Sequence, residues 1–133
     1  MRIRHLMGSR RGRRRRLRPS AEELGDAAYH HHVYVVLLNE EAGRDPWIRR
    51  LNPRRDPAKP ALYVGMTGLP PEQRFENHLE GLKSSRYVKK YGVRLLPEMY
   101  EYLNPMPYEA ALQMEAELAE ELREQGYTVT GGH

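Results

Sequence analysis

Residues 108 to 122, Tyr-Glu-Ala-Ala-Leu-Gln-Met-Glu-Ala-Glu-Leu-Ala-Glu-Glu-Leu, leave room for little besides one amphipathic helix. At about 100° per residue, Ala111, Met114, Leu118, Ala119 and Leu122 share one arc, and Glu115 lies inside it. Glu109, Glu117, Glu120, Glu121 and Glu124 fall on or near the opposite side, as on a solvated face. An inward carboxylate is costly unless it is paired or binds a metal. Glu115 therefore calls for an arginine partner or a cation, and on this helix alone the arginine is the plainer reading.

The remaining composition narrows the class of protein. The chain has 133 residues, 39% apolar and 30% charged, which suits one domain with a modest core and a tail. It has no Cys, so disulfides and thiolate zinc sites are excluded and a reducing compartment is expected. No apolar run approaches membrane-spanning length. A cytoplasmic chain, with nucleoid association open to it, fits this balance. The net charge of +4 is an average over two unlike parts. Residues 1–18 hold nine Arg and no acid, leaving thirteen of the 22 basic residues against 18 acidic ones. The chain reads as a basic, disordered arm over 1–20 attached to a mildly acidic domain over 21–133. The arm would bind phosphate without reading sequence; a plain tail, or a true start at Met7, accounts for it equally well.

Along the domain, Ser20 caps a short turn or helix. His31 to Leu38 is a strand, apolar on both faces, with His30, His32, Tyr34 and Val36 on one side. His31 points the other way from its neighbours, which argues against a histidine metal site. Residues 39–60 read as a long loop, with Trp47 among Arg44, Arg49, Arg50, Arg54, Arg55 and Lys59. Either it lies on a nucleic-acid backbone, or its arginines pair with Asp45 and Asp56. Ala61 to Thr67 is a second strand. Pro70-Pro71 opens a helix with Phe75, Leu79 and Leu82 as its apolar stripe, and Arg74 and His78 lie one turn apart at the stripe's edge. Ser84 or Ser85 caps a further short helix ending at Gly92. With Arg86, Lys89 and Lys90 beside Tyr87 and Tyr91, this is the most basic part of the domain, and backbone contact is favoured slightly over a solvated face. Met99 to Leu103 alternates like an antiparallel strand. Tyr127 to Thr130 is a last extended piece. The class is α+β, a small sheet flanked by helices.

Taken singly, Tyr34, Tyr63, Arg74 and Glu115 are ordinary core or ion-pair residues. Together they carry a resemblance. His32-Val33-Tyr34 followed by Tyr63-Val64-Gly65, an Arg in the next helix and one Glu in the last helix resembles the GIY-YIG nuclease family, over residues 31 to 129. His32 stands at the family's first Gly, and Met66 stands where some members carry Lys. The resemblance implies a three-stranded antiparallel sheet flanked by helices and hydrolysis of a phosphodiester with one divalent ion, Mg²⁺ or Mn²⁺. In that scheme Glu115 holds the metal and Arg74 the scissile phosphate. Tyr34 is general base or proton relay, Tyr63 supports it, and His78 matches a His found one turn after the Arg in some branches. A guanidinium and a metal suit the charge that builds on a phosphodiester. A tyrosine with its usual pKa near 10 is a poor base at neutral pH, so it needs cationic neighbours or a relay, from His78 or His32. The expected function is a metal-dependent endonuclease acting on DNA, with Arg49, Arg50, Arg86, Lys89 and Lys90 on the nucleic acid. The alternative is a non-catalytic nucleic-acid-binding module on the same fold, and a third is a plain structural domain.

Overall fold

The computed structural model describes residues 29–132. The basic arm and the Ser20 turn lie outside these residues. The fold is α+β, built on one four-stranded mixed sheet. Its strands are β1 (His32–Leu38), β2 (Ala61–Thr67), β3 (Gly92–Leu95) and β4 (Thr128–Gly131), in the order β3-β1-β2-β4. Strands β1 and β2 pair antiparallel in a register that sets Tyr34 opposite Gly65 and Val36 opposite Tyr63. Strand β3 is antiparallel to β1, and β4 runs parallel to β2. The helices are α1 (Pro46–Leu51), α2 (Pro71–Glu80), α3 (Arg86–Tyr91) and α4 (Tyr108–Glu124). No helix among the described residues is long and apolar enough to cross a membrane.

The central strands are buried as their composition requires. Val33, Val35, Val36, Leu62 and Val64 are fully inaccessible, so both faces of β1 and β2 are covered. Helix α4 contributes Ala111, Met114, Leu118, Ala119 and Leu122 to this core, each buried leucine stabilising the fold by about 2 kcal/mol.

The antiparallel three-stranded expectation needs correction in two places. Met99–Leu103 is not a strand. It forms two 3-10 turns, Pro97–Met99 and Glu101–Leu103. The buried residues there are Tyr100 and Leu103, three apart, which is the 3-10 period rather than the period of two. The third antiparallel strand is Gly92–Leu95, directly after α3. The added fourth strand is the extended piece after α4, and the helix carries the chain across so that β4 meets β2 in parallel.

The long connection over 39–60 is also structured. Asn39 caps a 3-10 turn (Glu40–Arg44), and the Asp45 carboxylate accepts from the Trp47 and Ile48 amides to start α1, with Pro46 in its first turn. Among the described residues neither Asp45 nor Asp56 forms an ion pair with an arginine. Each accepts backbone N–H groups, Asp56 that of Ala58. Leu79 on α2 and Leu82 in the turn after it face solvent at 45% and 55% exposure, while His78 takes the inward position. The expected leucine stripe gives way to a histidine that has a partner within the core. On α4, Glu121 is buried as well as Glu115, and it accepts from the Gln125 side chain.

Two asparagines complete the sheet where strands do not. Asn104 accepts from Val33 N–H and donates to Val33 C=O through its side chain. Asn52, at the end of α1, donates to the carbonyls of Ile48 and Val129 and accepts from Val129 N–H, tying α1 to β4. Asn52→Ala removes the acceptor of the buried Val129 N–H and leaves the Val129 carbonyl with the Arg123 guanidinium alone. We expect a loss of roughly 2 kcal/mol in urea denaturation, against a few tenths for Asn39→Gly at an exposed cap.

Candidate functional site

The register of β1 and β2 creates the site. Tyr34 and Tyr63 point to the same side of the sheet, and Gly65 lies opposite Tyr34. A Cβ on Gly65 would sit 2.6 Å from the Tyr34 ring and hydroxyl and 2.9 Å from the Tyr63 ring. The bare backbone at Gly65 is thus the floor on which both rings lie. Their centroids are 6.1 Å apart. From α2, His78 closes the group at 6.0 Å from Tyr34 and 5.7 Å from Tyr63. On the far side Gly131, at φ +84°, brings β4 against the Tyr63 ring, where a Cβ would meet both that ring and the carbonyl of Val64.

The hydrogen bonds within this group have a direction. The Ser85 amide, at the N-cap of α3, donates to His78 Nδ1 at 3.0 Å. A backbone amide can only donate, so Nδ1 carries the lone pair. Burial, with help from the Arg74 charge, pushes His78 down to about 4, so the ring is neutral at pH 7. Its proton then sits on Nε2, which donates to the Tyr34 hydroxyl at 2.7 Å. His78 cannot take the Tyr34 proton in this state. It supplies a hydrogen bond to the Tyr34 oxygen and leaves the Tyr34 O–H to be donated elsewhere.

The neighbour placed to receive it is Tyr63. Tyr34 is 1% exposed, whereas Tyr63 is only partly buried. Burial drives the Tyr34 phenol far above its ordinary value, and Tyr63 raises it further. Burial and the Glu115 charge also raise Tyr63, but Tyr34, Arg74 and Ser85 pull it back down. Of the two, Tyr63 is the phenol that ionises more readily and that approaches the surface.

Arg74, one turn before His78, is anchored by donating to the carbonyls of Leu82 and Lys83 at 3.2 and 2.8 Å. Those carbonyls belong to the turn after α2, whose tight reversal uses Gly81 at φ +83°. The guanidinium is held beside both tyrosines, close enough to lower each.

Glu115 is 8% exposed. Among the described residues it forms neither an ion pair nor a hydrogen bond, so the arginine partner expected from the helix pattern is not there. Burial alone raises its carboxyl to about 7. An unpaired, dehydrated carboxylate beside a phenol is suited to a hard cation. No group of three or more His, Asp or Glu among the described residues is arranged to hold a metal. Glu115 therefore fits a divalent ion only where water and phosphate oxygens complete the shell.

The other histidines stand apart. His31 meets the Tyr108 ring edge-on at 5.2 Å, and His32 lines a separate cavity of about 250 Å³ with Glu72 and Tyr100. His32 is thus not the expected neighbour of Tyr34. The basic residues divide in two. Arg50 lies over Trp47, Arg86 over Tyr87 and Lys90 over Tyr91, at 5.9, 5.0 and 5.2 Å. A hydrogen bond from the Tyr91 hydroxyl to Asp45 joins α1 to α3. Lys89 lies against Gly81 instead, and Arg49 lines a different cavity beside β1 and β2. Sequence reasoning missed the Ser85 amide as the group that sets the His78 tautomer. The Ser cap itself was visible, but a backbone contact seven residues away has no side-chain signature.

Two outcomes follow from this geometry. Gly65→Ala displaces both rings, and we expect a loss of about 1–3 kcal/mol with perturbed tyrosine fluorescence. The second concerns pH. Below pH 4.5 Glu115 is protonated whether the chain is folded or not. Between its ordinary value of 4.5 and about 7 the unfolded chain releases this proton first, so stability falls as pH rises. His78 acts oppositely: between 6.5 and about 4 the unfolded chain binds the proton first, so stability falls as pH drops. Glu115→Gln keeps the His78 part and removes the other. The variant's advantage over wild type should be near zero at pH 4 and grow to on the order of 3 kcal/mol by pH 8. Urea denaturation across that range measures it, and a constant offset contradicts the buried, unpaired carboxylate.

No protein-family model, no curated protein and no solved structure matches the chain.

Proposed function

We propose that the chain is a metal-dependent endonuclease that hydrolyses phosphodiester bonds in nucleic acid, with DNA as its target. One observation carries the reading. A buried carboxylate unpaired among the described residues, a backbone-anchored guanidinium and two adjacent phenols meet on one side of one sheet, at Glu115, Arg74, Tyr34 and Tyr63. The carboxylate is not explained by packing, because it costs stability where it stands. The resemblance to the GIY-YIG nucleases falls on the same four residues and on His78.

In this reading Glu115 would hold Mg²⁺ or Mn²⁺, and the ion would supply positive charge where charge builds on the phosphodiester. Arg74 binds a non-bridging oxygen of the scissile phosphate. Its fork is already fixed by two carbonyls, so little side-chain freedom is lost on binding. Tyr63, the more exposed phenol, first gives up its own proton to solvent; as the phenolate it takes a proton from the attacking water and returns to the neutral phenol. Tyr34 donates a hydrogen bond through its hydroxyl to the Tyr63 oxygen and so stabilises the phenolate before that transfer. His78 Nε2–H holds the Tyr34 oxygen in place. Both phenols are raised, so the phenolate is scarce until a cation is nearby, and activity should rise with pH through the neutral range.

A non-catalytic nucleic-acid-binding module is the second reading. It is favoured by the lone carboxylate and by the basic, aromatic-backed surface of α1 and α3, which needs no chemistry to bind a phosphate backbone.

A plasmid-nicking assay with Mg²⁺, Mn²⁺ or EDTA separates the two. We expect metal-dependent nicking, lowered 100-fold or more by Glu115→Ala or by Arg74→Ala. Equal activity in wild type and both variants would assign the cleavage to a contaminant. Salt-sensitive binding without cleavage, lost on deleting residues 1–18, would favour the module. Mg²⁺ should also narrow the stability gap between wild type and Glu115→Gln at pH 8, because it binds only the native carboxylate.

A further inference from the structure

A second concavity lies at the opposite end of β1 from the tyrosines. It has a volume of about 570 Å³ and is formed where the 3-10 turn after β1, helix α1 and the approach to β2 meet β4. Four cationic side chains line it, Arg44, Arg49, Arg55 and Lys59, against one acid, Glu40. Among the described residues none of the four forms an ion pair. Like charges gathered in one hollow repel each other, and an arrangement of this kind is maintained at a cost unless an anion is taken up there.

Two of the four are held in place by the fold. Arg55 donates to the carbonyl of Asn52, the buried residue that ties α1 to β4. Lys59 donates to the carbonyl of Gln125 and lies over the Tyr127 ring. Each uses one donor on the protein and keeps others free. Arg44 and Arg49 are exposed and have no hydrogen-bond partner among the described residues. The buried Thr128 completes the wall. Both anchors, Asn52 and the turn at Gln125, belong to the joint between α1, α4 and β4, so the hollow is part of the folded framework.

We propose that this cavity is a phosphate-binding site, distinct from the tyrosine cluster, that takes a phosphate of the nucleic-acid backbone. The choice of backbone over a free phosphoanhydride rests on the nuclease reading. The chemistry of recognition, several guanidinium and ammonium donors on tetrahedral oxygens, is common to both. From Tyr34 to Leu38 the strand covers about 13 Å, the rise of roughly four nucleotides of one strand. A strand engaged at the cluster thus has phosphates at the right distance to reach the cavity, which would fix its direction across the sheet.

The test uses the full chain in EDTA, so that binding is read without cleavage. The variant is Arg44→Ala with Arg49→Ala, both exposed positions. The control is Arg54→Ala with Arg94→Ala, which removes the same charge from exposed positions outside the cavity. Anisotropy with a fluorescein-labelled duplex and its single strand, and calorimetry with inorganic pyrophosphate, are the readouts. We expect the cavity variant to bind DNA at least 10-fold more weakly and its salt slope to fall by about 1–2, with the control near wild type. Loss of pyrophosphate binding with DNA affinity unchanged would keep the cavity as a phosphate site and assign it to a free phosphoanhydride. A cavity variant that binds both probes like wild type, or a control that weakens DNA binding equally, would overturn the proposal. Matching circular dichroism and thermal midpoints show that the variants are folded. If nicking is absent in wild type while the cavity variant still loses DNA affinity, the nuclease reading fails and the cavity stands.

Discussion

The bond from His78 to Tyr34 organises the molecule. It is a buried hydrogen bond between a helix and the central strand, and its direction is imposed from a third element by the Ser85 amide. Once Nδ1 is committed to that amide, Nε2 must donate, and Tyr34 must pass its proton toward Tyr63. Helix α2 carries Arg74 one turn before His78, so the same contact that seats the histidine sets the guanidinium beside the phenols. Helix α3 starts at Ser85, so its basic face is placed by the same network. A buried polar network of this sort is favourable only when each member is satisfied.

Glu115 is the counterpart on the other side. Its energetics differ from those of the histidine because no group among the described residues answers it. His78 is stabilised as a neutral ring by burial, and the fold uses the neutral form. Glu115 is pushed toward its neutral form by the same physics, with no partner among the described residues to offset it. Burial therefore has opposite meanings at the two residues: it favours the form that the hydrogen-bond network uses at His78 and opposes the charged form at Glu115.

Much of this was legible in the sequence. Strong local signals marked β1, β2, α2 and α4: β-branched runs, Pro70-Pro71 and an amphipathic period. The inward position of Glu115 followed from helix geometry alone. Where the reading failed, tertiary contacts overrode local pattern. Met99–Leu103 alternates in hydrophobicity, but Leu96 N–H is already bonded to Val35 and the chain must turn between Pro97 and Pro105, so two buried side chains three apart decide the conformation. Leu79 and Leu82 lost the core to His78 because only the histidine can meet the Tyr34 hydroxyl. The two helical turns within 39–60 had cap residues, Asn39 and Asp45, that a search for long periodic segments passes over. The direction of β4 depends on a crossover that no local signal encodes.

Gly65 joins these threads. Because the rings of Tyr34 and Tyr63 rest on its bare backbone, the atoms that would move protons are also the atoms that pack the middle of the sheet. A lineage of such proteins could not drift at this position and then recover by repacking nearby, since the nearest neighbours are themselves committed. If the proposed chemistry holds, its loss would leave the tyrosines in place as structure, and the packing at the centre of the sheet would not distinguish an active chain from an inactive one.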